Sequence, residues 1–186
     1  MGRWQPDAQR RLREAAIELY REQGFEQATV ADIASRAGVT ERTFFRYFAD
    51  KREVLFGGSE ALLEAAVEAV RTAPDSATPL EAVLLGVEAA GASLPGAEYG
   101  RVRQSVIDAN PSLQERELLK MASLQTAVAG ALVERGTDVA LAPLVASLGV
   151  SAFSVAYGRW IAPGETRDYP AVVREALAQL RAAAAG

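Results

Sequence analysis

Residues 29–48 read TVADIASRAGVTERTFFRYF, and the order of caps, apolar positions and glycine in this stretch decides the fold. Thr29 is an N-cap residue type, because its hydroxyl can accept a bond from an otherwise unpaired first-turn amide. Asp32, three residues on, completes a capping box with a short acid in place of the usual Glu. Val30, Ile33, Ala34 and Ala37 then recur on one side at helical spacing. Gly38 ends this first helix, since a C-terminal cap calls for positive φ. Thr40 caps a second helix whose apolar side is expected from Phe44, Phe45 and Phe48. Two short helices around a tight turn at Ala37-Gly38-Val39 form a helix-turn-helix, an arrangement whose second helix enters the DNA major groove.

The polar residues of the second helix suit that task. Arg42 and Arg46 can pair with phosphates or a guanine edge, and Thr40, Thr43 and Tyr47 carry hydroxyls for phosphates or bases. Five basic residues (Arg36, Arg42, Arg46, Lys51 and Arg52) stand against two acids (Glu41 and Asp50) between positions 36 and 52. The expected DNA contacts are therefore Thr29 at its helix N-terminus, Arg36, Thr40, Glu41, Arg42, Thr43, Arg46, Tyr47 and Lys51. Arg42 is the expected base contact. Thr29, Thr43, Tyr47 and Lys51 are expected on the phosphate backbone.

The stretch resembles the DNA-binding domain of the TetR family of bacterial regulators. The matching residues are Gly24-Phe25, Thr29-Val30, Asp32-Ile33-Ala34, Ala37-Gly38-Val39, Thr43-Phe44-Phe45-Arg46-Tyr47-Phe48, and Lys51 followed by Val54-Leu55. The likeness runs over about residues 8–56 and fades afterwards. One departure stands out. Phe45 occupies a position where family members often have a Tyr that bonds a phosphate, so Tyr47 and Thr43 are left to carry more of that contact.

The chain of 186 residues contains neither Cys nor His. Disulfides, thiolate metal sites and thiol nucleophiles are thereby excluded, as are the commonest general base and transition-metal ligand. Acid pairs such as Glu115 and Glu117 fall two apart and do not share a helix face. No phosphate-cradling glycine loop and no helix with paired metal ligands occurs. The expectation is a protein that is not an enzyme and needs no metal or cofactor. No apolar run approaches the roughly twenty residues that span a bilayer, so no membrane partner and a cytoplasmic location are expected. Net charge is −4, but residues 1–52 hold ten Lys and Arg against eight Asp and Glu, while the remainder holds ten against sixteen. A mildly basic head on an acidic body is compatible with DNA, because attraction depends on the local face.

Helical periodicity continues throughout, giving an all-α chain of about nine helices: a three-helix DNA-binding domain at 1–52, then a helical effector-binding and dimerisation domain at 53–186. The first helix is expected from about Asp7 to Gln23, with Pro6 at its entry. A small core is expected from Leu12, Ala16, Leu19, Phe25, Ile33, Ala34, Phe44 and Phe48. Gly57-Gly58 reads either as a flexible point or as a place of close packing. Further amphipathic segments run through Val70, from Leu80 to Leu94, around Val106, from Ser112 to Val133, from Asp138 to Trp160, and around Val172 to Leu180. Pro143 either kinks its helix or marks a later start.

The small residues Ala142, Val145, Ala146, Gly149, Ala152 and Ala156 are expected to let two helices approach closely between subunits. The resemblance implies a homodimer, joined through a four-helix bundle of the last two helices of each chain, on a palindromic double-stranded operator. It also implies a ligand pocket among the middle helices and repression relieved by the ligand. In this sequence the pocket walls would come from Leu62, Val87, Val106, Met121, Leu124, Phe153 and Tyr157, with Tyr99, Arg103, Asn110 and Trp160 as polar or amphipathic neighbours. Such a set favours an apolar small-molecule effector. A second reading remains open: an all-α protein that binds a ligand or partner while its helix-turn-helix no longer reads DNA. Salt-dependent retention on heparin or random duplex DNA separates the two.

Overall fold

The computed structural model describes residues 8–185, and these form nine α-helices with no strand among the described residues. The expected helix start at Asp7, the entry at Pro6 and the side chain of Leu180 lie outside the described residues. The helices are α1 (Ala8–Gln23), α2 (Val30–Arg36), α3 (Glu41–Tyr47), α4 (Ser59–Arg71), α5 (Pro79–Ala92), α6 (Ala97–Asp108), α7 (Pro111–Glu134), α8 (Ala142–Trp160) and α9 (Tyr169–Ala185). A single 3₁₀ turn, Glu53–Phe56, separates α3 from α4.

The residues divide into two compact units, one running up to Gly57 and including Arg101–Glu117, the other comprising Gly58–Gly100 and the chain from Leu118 onward. The first unit differs from the expected 1–52 domain by taking in most of α6 and the start of α7. A long-range hydrogen bond from Arg103 and a long-range ion pair of Arg116 account for the difference. The Arg103 guanidinium donates to the Leu55 carbonyl at 2.8 Å and to Glu117 at 3.0 Å, and lies 5.1 Å from the centre of the Phe56 ring. Arg116 donates to Glu53 at 2.5 Å.

Within this unit α1 buries Leu12, Ala16 and Leu19 against Phe25, Ile33, Ala34, Phe44 and Phe48, so the expected small core is present in full. Phe45 does not join it. Its ring is 54% exposed, because it sits about 100° around the short helix from Phe44 and thus off the stripe that Phe44 and Phe48 form. The two adjacent glycines do different things. A Cβ on Gly57 would lie 2.9 Å from Phe48 Cε1 and 3.0 Å from Arg13 Cδ, so this position is one of close packing. Gly58 takes φ of 100° as the residue before α4, a conformation that side chains rarely adopt.

In the second unit, α5 is started by a capping box, Thr78 with Glu81, and by Pro79 in its first turn. It packs closely on its neighbours where side chains vanish. A Cβ on Gly86 would lie 3.0 Å from the Ala66 carbonyl on α4, and one on Gly149 of α8 would lie 2.0 Å from Val83 Cγ1. Tyr169 at the start of α9 fills the space left by Gly91, and its hydroxyl donates to the Phe153 carbonyl at 3.2 Å. Burial pushes the Tyr169 phenol up, so it remains a neutral donor.

Pro143 lies in the first turn of α8, so it marks a later start at Ala142 rather than a kink. Asp138, where that helix was expected to open, instead accepts bonds from the Ala140 and Leu141 amides just ahead of it. The small residues of α8 correct a second expectation. Ala142, Val145, Ala146, Gly149, Ala152 and Ala156 are all buried within the chain itself, facing the core rather than a partner. The opposite side leaves Leu141, Leu144, Leu148 and Val155 exposed.

Candidate nucleic-acid interface

The turn between α2 and α3 is built by local hydrogen bonds. Thr29 Oγ1 accepts from the Asp32 amide at 3.1 Å, while Asp32 Oδ2 accepts from the Thr29 amide at 3.0 Å and from its hydroxyl at 2.6 Å. These bonds from Thr29 hold the Asp32 carboxyl below its ordinary value of 3.8. At the other end, the Gly38 amide donates to the Ser35 carbonyl and the Val39 amide to the Ala34 carbonyl, the pair of bonds of a Schellman cap. Gly38 holds the required positive φ, 66°.

Thr40 then starts α3 by accepting from the Thr43 amide at 3.2 Å, and the two threonine hydroxyls lie 3.1 Å apart. Phe44 and Phe48 anchor one side of the seven-residue helix, which leaves Glu41, Arg42 and Arg46 exposed and Thr43 and Tyr47 half-buried. Arg42 makes no ion pair among the described residues. The Arg46 guanidinium lies 4.8 Å from the centre of the Tyr47 ring and donates to its hydroxyl at 3.2 Å, so the two polar groups are held together.

The other expected contacts have duties toward their own chain. Arg36 pairs with Glu22 at 2.7 Å and stands 3.8 Å from Glu18, both on α1. The Lys51 ammonium donates to the carbonyls of Phe25, Glu26 and Ala28 at 2.9, 3.1 and 3.3 Å. Its own carbonyl accepts from the Tyr20 hydroxyl at 2.6 Å. Lys51 thus closes the loop that leads into Thr29. Nothing local signals this role, since its partners lie 23 to 26 residues away.

Of the expected effector-lining residues, Val87, Leu124 and Phe153 border one apolar void of about 10 Å³ between α4, α5, α7 and α8. Leu62, Met121 and Tyr157 are partly buried against the same core. Tyr99 is half-buried near the start of α6, whereas Arg103 and Val106 belong to the other unit. Of the remaining polar neighbours, Asn110 donates to the Val106 carbonyl at 2.6 Å and Trp160 packs edge-on against Tyr169 at 5.6 Å. The void has room for about one water molecule. Among the described residues no group of His, Cys, Asp and Glu is placed to hold a metal ion, and no single helix is long and apolar enough to cross a membrane.

A short capped helix with an exposed cationic side, carried on two buried phenylalanines behind a Schellman turn, defines a helix-turn-helix of the kind found in DNA-binding regulators. Comparison with known proteins gives the family. Residues 12–66 match "Bacterial regulatory proteins, tetR family", and residues 78–185 match "MftR C-terminal domain". The chain belongs to the tetR family of bacterial regulators. It is 43% identical over 68 residues to the HTH-type transcriptional regulator TcmR of Streptomyces glaucescens, a match covering 37% of this chain and 30% of that protein. The same backbone arrangement is found in FadR of Bacillus subtilis, solved with stearoyl-CoA, at TM-score 0.58 and 22% identity over 92% of this chain and 96% of that one. It recurs in a SmeT–triclosan complex at TM-score 0.61 and 16% identity, over 92% and 90% of the two chains.

Proposed function

We propose that this protein is a cytoplasmic, homodimeric repressor that binds a palindromic operator through α3 and is released from it by an apolar small molecule. The observation that carries the reading is the solvent-facing set of Arg42, Arg46, Thr43 and Tyr47 on a helix fixed from behind by Phe44 and Phe48. Arg42, which has no ion pair among the described residues, takes a guanine edge. Thr29, Thr40, Thr43, Arg46 and Tyr47 hold backbone phosphates on either side, with Glu41 at the start of the helix. Arg36 and Lys51 serve chiefly by positioning α2.

A dimer is required for two half-sites related by a dyad. The exposed leucines of α8 supply an apolar face for it. The effector site is the region of the void walled by Ala66, Val87, Leu124, Val128 and Phe153, where polar side chains are lacking. A ligand needs roughly 300 Å³ or more, so binding requires these helices to part, and the cost of parting favours the closed form when no ligand is present. FadR of Bacillus subtilis, solved with stearoyl-CoA, and SmeT, solved with triclosan, share this fold and hold ligands with large apolar parts, which supports an effector with an apolar part here.

The test is fluorescence anisotropy with duplexes from the region upstream of the protein's own coding sequence, against random DNA, at two salt concentrations. Binding on the order of 10³-fold tighter to one upstream duplex establishes an operator. Absence of salt-dependent binding to every duplex, random DNA included, favours the alternative, a ligand-binding protein whose helix-turn-helix no longer reads DNA.

A further inference from the structure

The reading unit displays one large apolar side chain to solvent among its described residues. Phe45 is 54% exposed, while the other exposed large hydrophobic residues all lie between Leu85 and Val155 and outside this unit. It sits on α3, the helix that presents the cationic side chains. Helical spacing puts it beside Glu41 and Arg42, one turn back. Its orientation is set by the core, because the ring stands edge-on to buried Phe44 with centroids 5.4 Å apart and planes at 81°.

An aromatic ring without a hydroxyl cannot hold a phosphate or a base edge by hydrogen bonding. In the major groove the apolar feature available to such a ring is the C5-methyl group of thymine. We propose that Phe45 is a specificity-determining residue that reads a thymine by contact with its methyl group, next to the guanine taken by Arg42. This rests on the DNA-binding reading given above and adds one base to it. Burying the ring against a methyl removes apolar surface from water on both partners, and the edge contact with Phe44 means that little side-chain freedom is lost on binding.

The experiment uses the full-length protein and the tightest duplex selected from a random-sequence pool. Each thymine of the half-site is replaced in turn by deoxyuridine, which removes the methyl and nothing else. The expected result is one position at which the wild-type protein loses about fourfold in affinity, the worth of one buried methyl-sized group. Phe45→Ala should bind the thymine and deoxyuridine duplexes equally. Phe45→Leu, which keeps an apolar tip, should retain the discrimination. Because the ring is exposed, truncation leaves the Phe44 and Phe48 core in place, and a thermal melt of each variant confirms folding.

Selection of a specific duplex with no deoxyuridine-sensitive position overturns the proposal while leaving DNA binding intact. Sensitivity that persists undiminished in Phe45→Ala overturns it too, since another residue then reads the methyl. Failure of the pool to yield any preferred duplex removes the DNA-binding reading itself, and the proposal with it.

Discussion

The Lys51 ammonium lies 2.9 Å from the Phe25 carbonyl oxygen and 4.5 Å from the centre of the Phe25 ring. One cation thereby satisfies a carbonyl in the turn after α1 and packs on the aromatic ring that closes the small core. Residue 51 follows the reading helix, so this contact ties the far side of α3 to the loop that starts α2. Replacing Lys51 by Met keeps the aliphatic stem and removes the charge-assisted bonds. The head should then lose about 1–2 kcal/mol in urea unfolding. Operator and random DNA should both bind more weakly, with the salt slope unchanged. A slope that falls by about 0.9 for each lost contact would assign Lys51 to a phosphate instead.

Arg42 and Arg46 should separate by role. Arg42 has no ion pair among the described residues, whereas Arg46 is held against Tyr47. Arg42→Ala is expected to relax preference at one base pair of each half-site by about 1–3 kcal/mol. Arg46→Ala should weaken all sequences alike and reduce the salt slope. Competition binding against single-base operator variants reads both, and equal losses on operator and random DNA for the two variants would overturn the division.

Acid should loosen the entry of α2. Asp32 is held below its ordinary 3.8 by the bonds from Thr29. A carboxyl with a depressed folded value contributes its stability above the unfolded value, and that contribution is lost as pH falls through the folded one. The difference in unfolding free energy between wild type and Asp32→Asn should therefore be present at about pH 5 and shrink steadily below about pH 4. A difference that does not change across this range would mean that the capping box is not the group titrating.

These elements also show what was legible in the sequence. Thr29, Asp32, Gly38 and Thr40 act on partners within a few residues, so their spacing alone gave the turn and the direction of α3. The buried ring pair Phe44 and Phe48 follows from the same local geometry. Phe45 was misplaced because three phenylalanines in five positions look like one stripe, although only Phe44 and Phe48 are buried. Arg103 and Arg116 were unreadable in this way, since each depends on a residue 48 or 63 positions distant. On α8 both sides are apolar, and periodicity cannot say which meets the core. The face that meets the core carries Gly149, where α5 comes close enough that a Cβ would meet Val83.

That close approach can be tested by overfilling it. A Cβ on Gly149 would stand 2.0 Å from Val83 Cγ1, and Val83 is itself buried and branched at Cβ, so it cannot swing away. Gly149→Ala should destabilise the body by about 1–3 kcal/mol. Val83→Ala makes room, so the double variant should be more stable than the two single losses added together. Simple additivity in urea melts would show that α5 and α8 adjust to the extra methyl independently.

The exposed side of α8 carries the last expectation. Leu144 is 66% exposed and Leu148 is 45% exposed, one turn apart on a helix whose other side is fully engaged in the core. Leu144→Glu with Leu148→Glu places two like charges on the proposed subunit face without touching any core residue. The double variant should remain helical, sediment as a monomer where the wild type sediments as a dimer, and bind a single half-site as well as the wild type does. Its affinity for the full operator should fall by on the order of 10²-fold or more, because the second head no longer binds at high effective concentration. A folded double variant that still sediments as a dimer would place the subunit contact on another surface.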